Sequence, residues 1–266
     1  MQKLAKYIYS QNNLIRKIEM VYYLKKMKNL FFDNSVILKV ELARMFIDSM
    51  CLDVDENTVL TAVLVYSLKK VNSPQEKSRI LTEKARDKEF LRKLGFSEEF
   101  CKIAMEYNRI NEDENYVRSK EGDVLEIVEN FGGMLLHRED RLGFAPKEAL
   151  EILANSTFKD RNNRYFEDLE FFVNVFESVQ GLGIISKLQR NINKLKRDDI
   201  SAAIRAIYDS RDEIENIFML KDNELFEDDI SFFNLAKISA RKTVALINYN
   251  KQQSIVNKSR LNNFDF

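Results

Sequence analysis

Residues 61–71 read TAVLVYSLKKV, and the fold turns on this stretch. Val59, Leu60, Ala62, Val63, Leu64, Val65 and Leu68 place apolar groups almost all round a helix. A helix apolar on every side belongs at the centre of a domain. Asp53 and Asp55 stand just before it and offer acidic N-terminal caps. Against that apolar background Tyr66 and Ser67 are an odd polar pair, followed at once by Lys69 and Lys70.

Working outward, every neighbouring segment also reads as helix. Residues 1–31 are one or two amphipathic helices, and Asp33, Asn34 and Ser35 supply a turn and a cap for the helix VILKVELARMFIDSM. Gly95 stops one helix and Ser97 caps the next. Residues 111–122, NEDENYVRSKEG, read as a polar loop. The following helix, DVLEIVENFGGMLLH, is expected to break near Gly132 and Gly133, and Pro146 suits the first turn of another. Ile200, Ala203, Ile204 and Ile207 lie on one helical face. With two prolines and seven glycines in 266 residues, long helices meet few breakers. The predicted fold class is all-α, with an N-terminal helical segment (1–35), a central domain (36–178) and a C-terminal helical extension with a basic end (179–266).

Composition narrows the class. Apolar residues make up 45% and charged residues 32%, which suits a globular chain with a substantial core. The chain has no apolar run of about 18 residues, so no membrane span is expected. Nor does the N-terminus carry a signal-peptide core, and a cytoplasmic location is the expectation. Cys51 and Cys101 are too few for a disulfide framework and are expected as reduced, mostly buried thiols. Net charge is zero but unevenly spread. Residues 1–30 hold seven basic residues and one acidic; residues 230–264 hold six basic and none acidic. Setting these and Asp265 aside leaves 29 basic against 40 acidic, a net of −11. Basic ends can pack on the acidic middle of the same chain or meet an acidic partner.

Residues 122–150, GDVLEIVENFGGMLLHREDRLGFAPKEAL, resemble the C-terminal half of HD-GYP domains, bacterial members of the HD phosphohydrolase superfamily. Arg138, Arg141, Glu148, Ala149 and Leu150 match the family's D-R-P-Y-R-x-A-x-S-x-E-E-A-L stretch without a gap. Glu129 then falls where the family has a metal-binding Asp. AVLVYSLKKV resembles the family's A-x-L-L-H-D-I-G-K-I: Tyr66 replaces the His, Ser67 the Asp, Lys69 the Gly, while Lys70 keeps a polar residue. An earlier family His falls near Val36, and its paired His near Tyr107 and Asn108. Of the G-Y-P signature only Tyr116 remains, between Asn115 and Val117. The resemblance covers about residues 36–178 and implies an HD-domain-like helical bundle with extensions at both ends.

The same resemblance implies that the chemistry is gone. HD enzymes hold two or three metal ions on His and Asp side chains, and the metals activate water and stabilise charge on phosphate. This chain has one histidine, His137, which stands at a non-ligand position. Tyr66 and Ser67 are not readily ionised and are poor ligands, and Val36 is none. Glu129 alone is an acidic relic. Lys70, Arg138 and Arg141 either hold phosphate or pair with the domain's own carboxylates. No phosphate loop, G-x-G-x-x-G, C-x-x-C or nucleophile elbow occurs. No metal or other cofactor is expected.

The leading expectation is therefore a catalytically inactive HD-GYP-like regulatory or protein-interaction module in bacterial signalling. The alternatives are a sensor that binds a nucleotide such as cyclic di-GMP without cleaving it, or a residual metal-dependent phosphodiesterase. The degenerate pocket would comprise Tyr66, Ser67, Lys70, Tyr107, Asn108, Tyr116, Glu129, Arg138 and Arg141. A protein partner is the expected partner and a homodimer is open. Nucleic-acid binding through the basic ends is the weaker option. Tyr7, Tyr9, Phe232, Phe233 and Tyr249 are spaced like packing residues there, and no nucleic-acid motif accompanies them.

Overall fold

A computed structural model describes residues 2–28, 32, 35–66, 80–109, 112, 116–138, 141–155, 163–178, 183–195 and 199–208. Among the described residues every regular element is a helix: α1 Gln2–Ser10, α2 Leu14–Met27, α3 Ser35–Met50, α4 Glu56–Val65, α5 Ile80–Leu94, α6 Glu98–Ala104, α7 Lys120–Leu135, α8 Pro146–Asn155, α9 Phe166–Phe176, α10 Ile184–Asn193 and α11, residues 200–208. The described part of the protein is all-α. No helix of the described residues is long and apolar enough to cross a membrane.

The apolar stretch that opened the sequence is the hub. Every residue of α4 from Thr58 to Val65 is buried. Helices α3, α4 and α7 pack on one another in a triangle, and the rest surround them. On α4 lie α1, α2 and α6; α9 and α10 lie on α3; α8 bridges α7 and α9. Residues of α1, α2, α10 and α11 bury their apolar faces in the same core as the central helices, for example Ile8, Ile18, Ile185 and Ile207. As far as they are described, the segments before residue 36 and after residue 178 thus share one core with the middle of the chain.

Local chemistry sets the helix ends. The Asp55 side chain accepts from Asn57 N at 3.2 Å and caps α4. Asp53, the other expected cap, instead pairs with Lys120 at the exposed start of α7. Ser97 caps α6 through Phe100 N at 3.1 Å, and Gly95 turns the chain after α5 at φ +95°. Ser119 caps α7 through Gly122 N at 2.8 Å. Pro146 opens α8, where its missing N–H costs no helical bond.

Two expectations need correction. Helix α7 does not break at Gly132 and Gly133 but continues to Leu135. A Cβ on Gly132 would lie 3.0 Å from Lys39 Cγ, so this glycine permits α3 and α7 to approach closely. Cys101 is buried, but Cys51 is exposed: it sits just past the end of α3 at φ +45°.

The N-terminal hairpin is pinned by a buried cation. Lys17 of α2 is 2% exposed. Its Nζ donates to Thr61 Oγ1 at 2.7 Å, to Asn57 Oδ1 and to Tyr9 O at 3.5 Å. All three acceptors are neutral, so burial dominates and pushes the amine down to about 8.

Candidate functional site

Tyr66 ends α4, its N–H bonded to Ala62 O at 2.8 Å. From there its hydroxyl donates to Glu129 of α7. Lys39 comes from α3, one turn beyond Val36. Its Nζ lies 2.5 Å from Glu129 Oε2 and donates to Tyr66 Oη at 3.2 Å. Each of the three central helices therefore delivers one polar side chain to a single point beside the core. The Tyr107 ring leans on the Tyr66 ring with centroids 4.8 Å apart at 39°. Asn108 is half-buried next to it, and Val36 is half-buried against the core.

The chemistry of this point follows from its donors and acceptors. Glu129 is an acceptor already engaged by an ammonium and a phenol. An ammonium offers only donors, so Lys39 cannot ligate a metal while protonated. It also places a positive charge against the one carboxylate a metal would need. Burying this ammonium, 7% exposed, is costly alone and tolerable beside an opposite charge. Among the described residues no three His, Cys, Asp or Glu side chains converge closely enough to hold a metal ion. Ser67 and Lys70 lie outside the described residues, as does Asn115.

Tyr116 does not join this point. It donates to Glu106 Oε1 at 2.8 Å, and burial, then Glu106, push its phenol well above the usual tyrosine range. Glu106 Oε2 accepts from Ser119 N at 3.1 Å and from the Ser119 hydroxyl. Beside it Arg118, 8% exposed, is surrounded by acceptors. Arg118 donates to Asp123 Oδ1 at 2.8 Å, to Gly122 O at 2.9 Å, to Glu106 O and to Glu112. Arg109 forks onto Glu126 at 3.0–3.2 Å. Arg164 Nε reaches Asp123 Oδ2 at 2.8 Å, and Asn163 donates to Glu126 Oε2 at 2.9 Å. This network ties Arg109, Glu112, Tyr116 and Arg118, together with Asn163 and Arg164, to Glu106 and the first turns of α7. Its guanidiniums already hold carboxylates of the same chain.

Arg141 serves the other end of α7. Its guanidinium donates to Gly133 O at 3.0 Å and Met134 O at 3.1 Å, and lies 4.8 Å from the Phe144 ring centroid. Cations suit the last carbonyls of a helix, where the dipole is negative. Arg138 is exposed, and its N–H donates to Arg141 O at 2.8 Å. His137 is exposed as well; its Nδ1 accepts from Gly143 N at 2.9 Å and its N–H donates to Asn193 Oδ1 at 3.1 Å. Of the residues singled out in the sequence, the structure gathers Tyr66, Tyr107 and Glu129. Tyr116 belongs to the Arg118 network, and Arg138 and Arg141 to the C-terminal end of α7.

Lys39 was missed by sequence reasoning. The signal was a lysine amid VILKVELARMF, on a helix with little room for a solvated side chain. The Arg118 network was missed too, because acidic residues in a first helical turn are ordinary. Compared with known proteins, the chain matches no family model, no curated protein and no solved structure.

Proposed function

We propose that the chain is a catalytically inactive, HD-GYP-like helical module that works by binding a protein partner in a regulatory role. The observation that carries the reading is the Lys39 ammonium, 2.5 Å from the Glu129 carboxylate and bonded to Tyr66. By the resemblance to HD-GYP domains, Glu129 and Tyr66 stand at two former ligand positions. In this reading a lysine side chain supplies, permanently and from within the fold, the positive charge that a metal supplies in the enzymes. The triangle of α3, α4 and α7 then persists as a scaffold without the need for metal. The abundant Arg–carboxylate pairing around α7 agrees with a rigid binding module, since those cations hold the fold's own acidic groups.

The test is metal content and turnover of the full chain after incubation with manganese or iron. We expect less than a tenth of an equivalent of metal after desalting, and no hydrolysis of bis-(p-nitrophenyl) phosphate or cyclic di-GMP. Two equivalents of bound metal, or manganese-dependent hydrolysis, would overturn the proposal. Calorimetry with cyclic di-GMP should give no binding heat; micromolar binding without turnover would replace the module with a nucleotide sensor.

A further inference from the structure

Among the described helices α2 alone exposes two large apolar side chains, Tyr23 at 62% and Met27 at 69%. Its rotation cannot hide them, because Leu14, Ile18, Val21 and Leu24 fill the core and Lys17 is clamped to Thr61 of α4. Around Tyr23 the outward face carries exposed Arg16, Glu19 and Lys26 and half-exposed Met20. Glu19 and Lys26 stand seven residues apart, almost two full turns, so they share one flank of the face about 10.5 Å apart. Met20 and Met27, also seven apart, share the other flank, and Tyr23 lies between the two.

This pattern of signs is complementary to itself in one direction only. Laid parallel on a second copy, Glu19 would meet Glu19 and Lys26 would meet Lys26, which repels. A two-fold axis running across the helix reverses its direction and keeps each flank against the same flank of the other copy. Glu19 then meets the partner's Lys26, Lys26 meets the partner's Glu19, and the methionine flanks cover each other. Every contact of such an isologous interface is made twice. Part of the face is ordered beforehand. Tyr23 stands edge-on to Tyr22 with ring centroids 5.4 Å apart, and the Lys26 ammonium lies 5.5 Å from the Tyr22 centroid. Such preorganisation lowers the entropy lost on association.

We propose that two copies of the chain pair through the outward faces of α2, antiparallel about a two-fold axis beside Tyr23, with Glu19 of each copy on the partner's Lys26. One face of a 14-residue helix buries less than the roughly 800 Å² per partner of a standard interface. The dimer is therefore weak, with an expected Kd of roughly 20–300 µM. The competing occupant is a foreign acidic surface, since Arg16 and Lys26 outnumber Glu19 on the face. Arg16 separates the two cases, because it lies outside the paired charges and would matter only to the acidic surface. The face shares no residue with the Glu129 site, so the pairing stands or falls apart from the metal question.

The experiment is sedimentation equilibrium of the full chain between about 10 µM and 0.5 mM, in reductant so that the exposed Cys51 cannot link copies. We expect a reversible monomer–dimer equilibrium that weakens in about 0.5 M salt, because exposed charges are screened. Glu19→Lys alone and Lys26→Glu alone each make both pairs repulsive and should weaken the dimer at least about tenfold. The double variant, Glu19→Lys with Lys26→Glu, restores both pairs with the signs exchanged and should return Kd to within about threefold of the parent. Tyr23→Ser with Met27→Ser removes the apolar centre and should weaken the dimer at least about tenfold, whereas Arg16→Gln should change Kd less than about threefold. All these positions are exposed, so circular dichroism should remain that of the parent. A monomer at about 0.5 mM would overturn the proposal and leave the face to a foreign acidic partner. A dimer indifferent to the single reversals, or a double reversal that fails to restore it, would overturn the proposal as well.

Discussion

Replacing Lys39 by methionine removes one charge and keeps nearly the same volume. Glu129, 18% exposed at its side chain, then loses its ammonium partner and keeps the Tyr66 hydroxyl among its donors. Removing one partner of a buried ion pair typically costs about 3–5 kcal/mol, because the other charge is left without compensation. Glu129 keeps some contact with water, so the lower end applies, about 3 kcal/mol. For a chain of this size that lowers Tm by roughly 6–12 °C. Glu129→Met should cost a similar amount by stranding the ammonium. The double variant, Lys39→Met with Glu129→Met, strands neither charge and is expected within about 1 kcal/mol of the parent, since apolar replacement of a buried pair is often neutral. The coupling energy, the two single losses less the loss of the double variant, is then about 5–6 kcal/mol, measured by urea denaturation of all four proteins. A coupling below about 0.5 kcal/mol would refute the reasoning, because the ammonium would not be what neutralises Glu129.

Three further outcomes follow from the geometry. Lys17 has its amine lowered from 10.5 to about 8, so the folded state sheds a proton that the unfolded state keeps between those values. Stability should therefore be flat below pH 8 and rise above it, by about 2 kcal/mol between pH 7 and pH 9.5 relative to Lys17→Met; parallel pH profiles would contradict this. Gly122→Ala would place a Cβ 1.9 Å from Glu106 Oε2, which Tyr116 and Ser119 hold in place, so a loss of at least about 2 kcal/mol is expected despite the better helix former. Arg118→Met takes the guanidinium from Glu112 and from the carbonyls of Glu106 and Gly122, and leaves Asp123 with Arg164 as its close cation; it should cost about 3–5 kcal/mol in chemical denaturation, and a change under 1 kcal/mol would show that Arg109 and Arg164 already suffice.

The parts of the fold legible in the sequence were those governed by neighbours along the chain. Ser97, Gly95, Asp55 and Pro146 act within one helical turn, so their roles follow from their own chemistry. The all-round apolar character of α4 placed it at the centre without knowledge of any partner. What was not legible depends on partners far along the chain. Lys39 finds Glu129 across 90 positions, and no periodicity in α3 announces that. Gly132 looked like a breaker because glycine is a poor helix former, whereas the Lys39 side chain packed against it explains its place. Arg141 stood open in the sequence between phosphate and the domain's own carboxylates; in the structure its guanidinium donates to the carbonyls of Gly133 and Met134, partners that the sequence did not suggest. Asp53 and Asp55 were both offered as caps in sequence; in the structure Asp55, next to α4, accepts from Asn57 N, Thr58 and Tyr9, while Asp53 pairs with Lys120.

The Lys17 clamp has a consequence for how the amino-terminal hairpin finds its seat. Apolar ridges on α2 could slide along α4 by one turn, about 5.4 Å, and still bury similar area. The amine cannot, because Tyr9 O, Asn57 Oδ1 and Thr61 Oγ1 meet it in one alignment only. Every shifted docking would leave a cation in an apolar seam with its donors empty, a penalty of several kcal/mol. Lys17 thus acts as a key cut for a single notch, rejecting misassembled hairpins more strongly than it stabilises the correct one.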